Sequence, residues 1–111
     1  LKAMDHYVAL FGRFWARDRL VMRRIRALGS LDAEFEASLR QRDGWRHGGI
    51  TTLMLRLLPD MSEGARNRVI DVLYTLTSFS TFDTLAGDES SPADATKLVQ
   101  ELARMAVNAA S

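Results

Sequence analysis

At 111 residues with a formal charge of +1, the chain is the size of one domain and can bury roughly two-thirds of its unfolded surface without covalent staples. It has no cysteine, which excludes disulfides, thiol catalysis and thiolate metal sites, and no apolar run nears the roughly 18 residues that suggest a membrane span, so a soluble chain is expected. Ten basic and six acidic residues in 1–48 against five and eight in 49–111 make a mild asymmetry, not the dense basic face that phosphate binding needs.

The opening LKAMDHYVALF lacks a basic region followed by an apolar core, so it is not a signal peptide. It does not begin with methionine, which suggests that Leu1 is a cut point within a longer protein. Residues 4–28 predict a long helix with Met4, Tyr7, Val8, Phe11, Phe14, Trp15, Val21, Met22, Ile25 and Leu28 on one broad face, ended by Gly29 and Ser30. Arg13, Arg17 and Arg24 fall opposite, as on a solvated surface. Asp18 is the anomaly: its wheel position lies between Phe11 and Ile25, so its carboxylate is expected either to pair with an arginine or to face a cavity where it could meet a ligand.

Residues 31–43 predict a short helix with Leu31, Phe35 and Leu39 inward. Gly44, Gly48 and Gly49 then mark a break, a kink or a close approach to something bulky, since each glycine inside a helix costs about 1 kcal/mol relative to alanine. The helical pattern resumes over residues 45–58 with Ile50, Leu53, Met54, Leu57 and Leu58 buried, and Pro59 closes it. His47 shares the inner side with Ile50, Thr51 and Met54, either as a hydrogen-bonded core residue or facing a ligand.

Residues 60–87 predict one long helix, opened by an Asp60–Glu63 capping box and closed by Gly87. Val69, Val72, Leu73, Leu76 and Phe79 form one stripe, while Ile70, Tyr74, Phe82 and Leu85 spread over the other side. The polar residues between Thr75 and Thr84 are small hydroxyls that can bond back to their own helix. A helix so short of outward charge calls for protein on two sides, one of them a second copy of the chain. Residues 88–91 read as a polar loop, and Ser91-Pro92-Ala93-Asp94 opens a last helix. There Ala95, Leu98, Val99, Leu102, Met105, Ala106 and Ala109 make a narrow stripe on which small residues permit close helix approach.

No strand pattern, phosphate-cradling glycine loop or metal-ligand spacing is present, and the serines lack an adjacent base, so the reading is an all-α, antiparallel bundle of about five helices without catalytic residues, metal or cofactor. Aromatic and methionine side chains with isolated polar groups among them suit either a core or a pocket for a largely apolar small molecule. Phe11, Trp15, Asp18, His47, Thr51, Met54 and Tyr74 are the candidate lining. Val72, Leu76, Phe79, Leu98, Leu102 and Met105 are the candidate centre of a homodimer interface.

The run YVALFGRFWARDRLVMRRIRALGSLDAEFEASLRQRD, a glycine-interrupted helix, VIDVLYTLTSFSTFDTLAG and then SSPADATKLVQELARMAV together resemble the C-terminal regulatory domain of TetR-family transcriptional regulators. The resemblance spans nearly the whole chain. It implies that residues 1–111 form a cytoplasmic effector-binding and dimerisation domain of a repressor. Its last two helices would pair with those of a second subunit, and the earlier ones would enclose an effector. DNA would be read only by a helix-turn-helix domain upstream of Leu1. The alternative is a helical protein–protein interaction module without an effector pocket.

Overall fold

The computed structural model describes residues 2–87 and 91–111, and all regular structure among them is helical. The six helices are α1 (Lys2–Arg17), α2 (Arg19–Gly29), α3 (Ala33–Leu57), α4 (Glu63–Leu76), α5 (Phe79–Ala86) and α6 (Pro92–Ala110). Of the loop expected at residues 88–91, residues 88–90 lie outside the described residues.

Both long helices expected from the sequence are broken, and the expected break in the middle is bridged. Residues 4–28 divide at Asp18, whose φ of −132° and ψ of 46° interrupt the helix. Residues 60–87 divide at Thr77 and Ser78. There Ser78 Oγ accepts from Thr81 N–H and donates to Thr75 O at 2.8 Å, so the hydroxyls cap a new helix and strip the old one of its continuation. By contrast α3 runs unbroken through Gly44, Gly48 and Gly49. A Cβ on Gly49 would stand 2.8 Å from the Tyr7 hydroxyl, so that glycine marks the close approach of α1; Gly44 and Gly48 face open space.

Several ends follow local chemistry. Asp32 accepts from Glu34 and Phe35 N–H to open α3, and Ser91 accepts from Asp94 N–H with Pro92 in the first turn of α6. Gly87 ends α5 at φ 55°, a backbone region that favours glycine. The capping box expected at Asp60 is replaced: Ser62 caps α4 by accepting from Ala65 N–H, and Asp60 lies exposed in the preceding turn.

The core has two parts. Met4, Val8, Ile50, Met54, Val69, Ile70, Leu73, Val99, Ala103 and Val107 pack α1, the second half of α3, α4 and α6 together. Trp15, Phe79, Phe82, Ala86 and Ala95 form a second cluster under α5. Between Ala33 and Trp45 no residue is buried, and α2 buries only Gly29, so α2 and the first half of α3 form an arm standing off the core. The radius of gyration of 14.5 Å exceeds the about 13 Å expected of a compact domain this long. The molecule is a slab of 42 × 33 × 18 Å, about two helices thick, which limits how many helix faces it can cover by itself.

On α6 the inward stripe is Ala95, Val99, Ala103 and Val107, one residue every four. Leu98 and Met105, expected on a common stripe with Ala95 and Val99, point outward at 40% and 63% exposure, and Val72 on α4 is exposed as well. Small side chains inside let α6 lie close to α1. At Gly12 the approach is tightest, because a Cβ there would fall inside contact distance of Thr96 Oγ1 and 3.2 Å from its Cβ.

Candidate functional site

The arm and the core enclose a cleft of about 480 Å³ lined by Phe11, Phe14, Trp15, Met22, Ile25, Arg26, Leu39, Arg42, Asp43, Trp45 and Arg46. That volume lies within the about 300–1,000 Å³ range of small-molecule sites. The bend at Asp18 is what makes the cleft. It turns α2 away from the line of α1, so Met22 packs against the second core cluster and, with Ile25, shares the cleft with Leu39 of α3.

The aromatic wall is continuous. Phe11 and Trp15 ring centroids are 6.1 Å apart, Phe14 meets Trp15 edge-on at 5.0 Å, and Trp15 in turn meets Phe79 of the core edge-on at 5.5 Å. Phe14 and Trp45 remain largely exposed at the mouth. The polar part is an arginine–aspartate cluster. Arg26 makes a two-pronged contact with Asp43, at 3.0 and 3.3 Å, and also stands 5.8 Å from the Trp15 ring. Arg46, only 8% exposed, lies 3.8 Å from Asp43.

The Arg46 guanidinium is held by the end of α4. It donates to Tyr74 O and, at 2.7 Å, to Thr77 Oγ1, and lies 4.2 Å over the Tyr74 ring. Helix C-terminal carbonyls lack internal partners and carry partial negative charge, so a buried cation is stabilised there. Burial pushes the Arg46 pKa down, and the neighbouring charge of Asp43 opposes that shift. Tyr7, whose hydroxyl donates to Arg46 O at 3.4 Å, has its pKa raised by burial, with the Arg46 charge acting the other way. Trp15 Nε1 donates to Thr77 O at 2.9 Å, so both buried walls of the cleft are tied to the α4–α5 break.

Of the residues singled out in the sequence, Phe11 and Trp15 line this cleft. Asp18 does not: it is exposed at the α1–α2 bend and has no arginine partner among the described residues. Met54 is wholly buried in the main core. Thr51 returns its hydroxyl to His47 O at 3.0 Å, and the half-buried His47 ring packs edge-on against Tyr74 at 5.0 Å, behind the Arg46 wall. Phe14, Met22, Ile25, Arg26, Leu39, Arg42, Asp43, Trp45 and Arg46 complete the lining. Arg46 carried a readable signal, because it stands one and two helical turns before the buried Ile50 and Met54 on the same stripe.

The candidate interface residues divide. Val72, Leu98 and Met105 are exposed, Leu76 and Leu102 half-buried, and Phe79 sits in the chain's own core against Trp15. Among the described residues no cluster of His, Asp or Glu could hold a metal, and no helix is long and apolar enough to cross a membrane. Compared with family models, curated proteins and solved structures, the chain matches none.

Proposed function

We propose that this chain is a small-molecule-sensing and dimerisation domain of a transcriptional regulator of the TetR type, in which the occupied cleft alters DNA binding by a separate helix-turn-helix domain. The observation that carries the reading is the double tie from the cleft to the α4–α5 break: Trp15 bonds Thr77 O, and Arg46 bonds Tyr74 O and Thr77 Oγ1. An occupant that favours one position of either side chain favours one geometry of that break, which is a population shift with a defined lever. Further support comes from the outward face of α4 and α6, where exposed Val72, Leu98 and Met105 stand on a slab two helices thick. In this reading that face pairs with its own counterpart about a two-fold axis and buries about 1,200–2,000 Å² in total.

A second reading, a helical interaction module without an effector, draws on the apolar tip of the arm, where Leu28, Leu31 and Phe35 are exposed, Leu31 to 87%. Sedimentation velocity separates the two. The sensing reading expects a dimer that Leu98→Glu with Met105→Glu converts to a folded monomer, and that Leu31→Glu leaves intact. A chain that is monomeric from the start, or a dimer dissolved by Leu31→Glu alone, overturns it.

A further inference from the structure

The charges around the cleft do not balance. Three guanidinium groups line it, Arg26, Arg42 and Arg46, against one carboxylate, Asp43. Asp43 has both oxygens on Arg26, at 3.0 and 3.3 Å, and reaches Arg46 only at 3.8 Å. Arg42 makes no hydrogen bond or ion pair among the described residues. The Nε atoms of Arg26 and Arg46 are buried without a hydrogen-bond partner, and the Arg46 side chain is 6% exposed. A buried polar group lacking its bond is costly, and a cation beside an apolar wall more so, unless an anion joins it.

Resting on the reading of the cleft as a ligand site, we propose that its occupant is an amphiphilic monoanion: a small carboxylate with an aliphatic or aromatic body. The carboxylate meets Arg42 and the solvent side of Arg26, where planar guanidinium groups offer paired donors, and Arg46 adds positive charge from behind. The body lies against Trp15, Met22 and Ile25. A neutral molecule of the same shape fills the apolar wall and leaves the charges uncompensated. A cation adds repulsion to that deficit. Arg42, without a bond among the described residues and beside an Asp43 whose two oxygens already accept from Arg26, is what singles out an anion over a hydrogen-bonding neutral ligand.

Both tryptophans of the chain, Trp15 and Trp45, line the cleft, so intrinsic tryptophan fluorescence reports on this site. The test is a fluorescence titration at neutral pH with decanoate, 1-decanol and decyltrimethylammonium, each below its aggregation concentration. Decanoate should bind about tenfold tighter than decanol, the scale of one charge-assisted hydrogen bond, and decyltrimethylammonium should bind more weakly than either. Arg42→Gln, an exposed change that the fold tolerates, should bring decanoate to the level of decanol and leave decanol unchanged, while Arg42→Lys should keep part of the preference. Equal binding of decanol and decanoate by the unaltered chain overturns the anion assignment and leaves the cleft as a ligand site. Arg42→Gln weakening all three probes alike overturns it too. If no probe perturbs the tryptophans, the inference and the ligand-sensing reading fall together.

Discussion

Trp15 Nε1 donates to the backbone carbonyl of Thr77 at 2.9 Å, across 62 residues of sequence, at the point where α4 gives way to α5. Ser78 opens a new helix there, so the Thr77 carbonyl takes the indole N–H as its partner. Trp15→Phe keeps an aromatic ring against Phe79 but removes that donor and part of the buried indole's volume. It should cost about 1–3 kcal/mol, the penalty of a buried acceptor left without a bond. Leu20→Ala, at a largely exposed position on α2, should stay within about 0.5 kcal/mol. Urea unfolding of the two variants checks the contrast.

Arg46 gives a second prediction. Arg46→Met keeps an unbranched apolar stem but abandons Tyr74 O, Thr77 Oγ1 and one neighbour of Asp43. The expected loss is about 2–4 kcal/mol, and Arg46→Lys should recover only part of it, because an ammonium cannot stack its plane on a ring while donating along two directions. Denaturant midpoints measure this, and a loss of tyrosine near-ultraviolet dichroism in Arg46→Met would locate it at the two tyrosines beside Arg46, Tyr7 and Tyr74.

The arm is fastened to the core by Asp83, which accepts from Arg19 Nε at 2.6 Å and Arg23 Nε at 2.8 Å. Burial pushes the Asp83 pKa up, but the hydrogen bonds and charges of Arg23 and Arg19 outweigh it, and the net shift is downward. A carboxyl whose folded pKa is depressed contributes stability that is fully present above its unfolded value of about 3.9 and is lost as pH falls through the folded value. Asp83→Asn should therefore be less stable than the unaltered chain at pH 7, with the gap between their thermal midpoints closing as the solution is acidified below that range. A gap constant from neutral to strongly acid pH would mean that the arginines gain nothing from the ionised form.

Two glycines should respond in opposite senses. Gly12→Ala gains roughly 1 kcal/mol in helix propensity but drives its methyl into Thr96 on α6, and overpacking of about 1–3 kcal/mol should win. Gly48→Ala, inside α3 with nothing near its missing Cβ, should stabilise by up to about 1 kcal/mol. Thermal unfolding of the pair distinguishes a glycine kept for space from one that is only tolerated.

What could be read from the sequence alone was the all-α class and those helix ends whose chemistry is local: Ser91 with Pro92, Gly87, and Gly29 with Ser30 each settle their own hydrogen bonds within a few residues. The break at Ser78 was also local, a serine three residues before Thr81, but in a run of hydroxyls either helix or cap satisfies the backbone. Packing against the core favours the cap. Gly44, Gly48 and Gly49 show the reverse case. Their combined propensity cost is a few kcal/mol at most, and α3 offsets it by burying Ile50 and Met54 and by letting Tyr7 lie over Gly49. The site followed the same division. Phe11 and Trp15 were legible because aromatic side chains at helical spacing must be covered by something. Arg26, Arg42 and Asp43 were not, since charges on a helix read as solvent-facing until another element covers them; Arg46 differed only in sharing a stripe with the buried Ile50 and Met54. Only the bend at Asp18, which folds α2 back over α3, brought those charges to an apolar wall, and a bend between two helical stretches is decided by long-range burial, not by the few residues that make it.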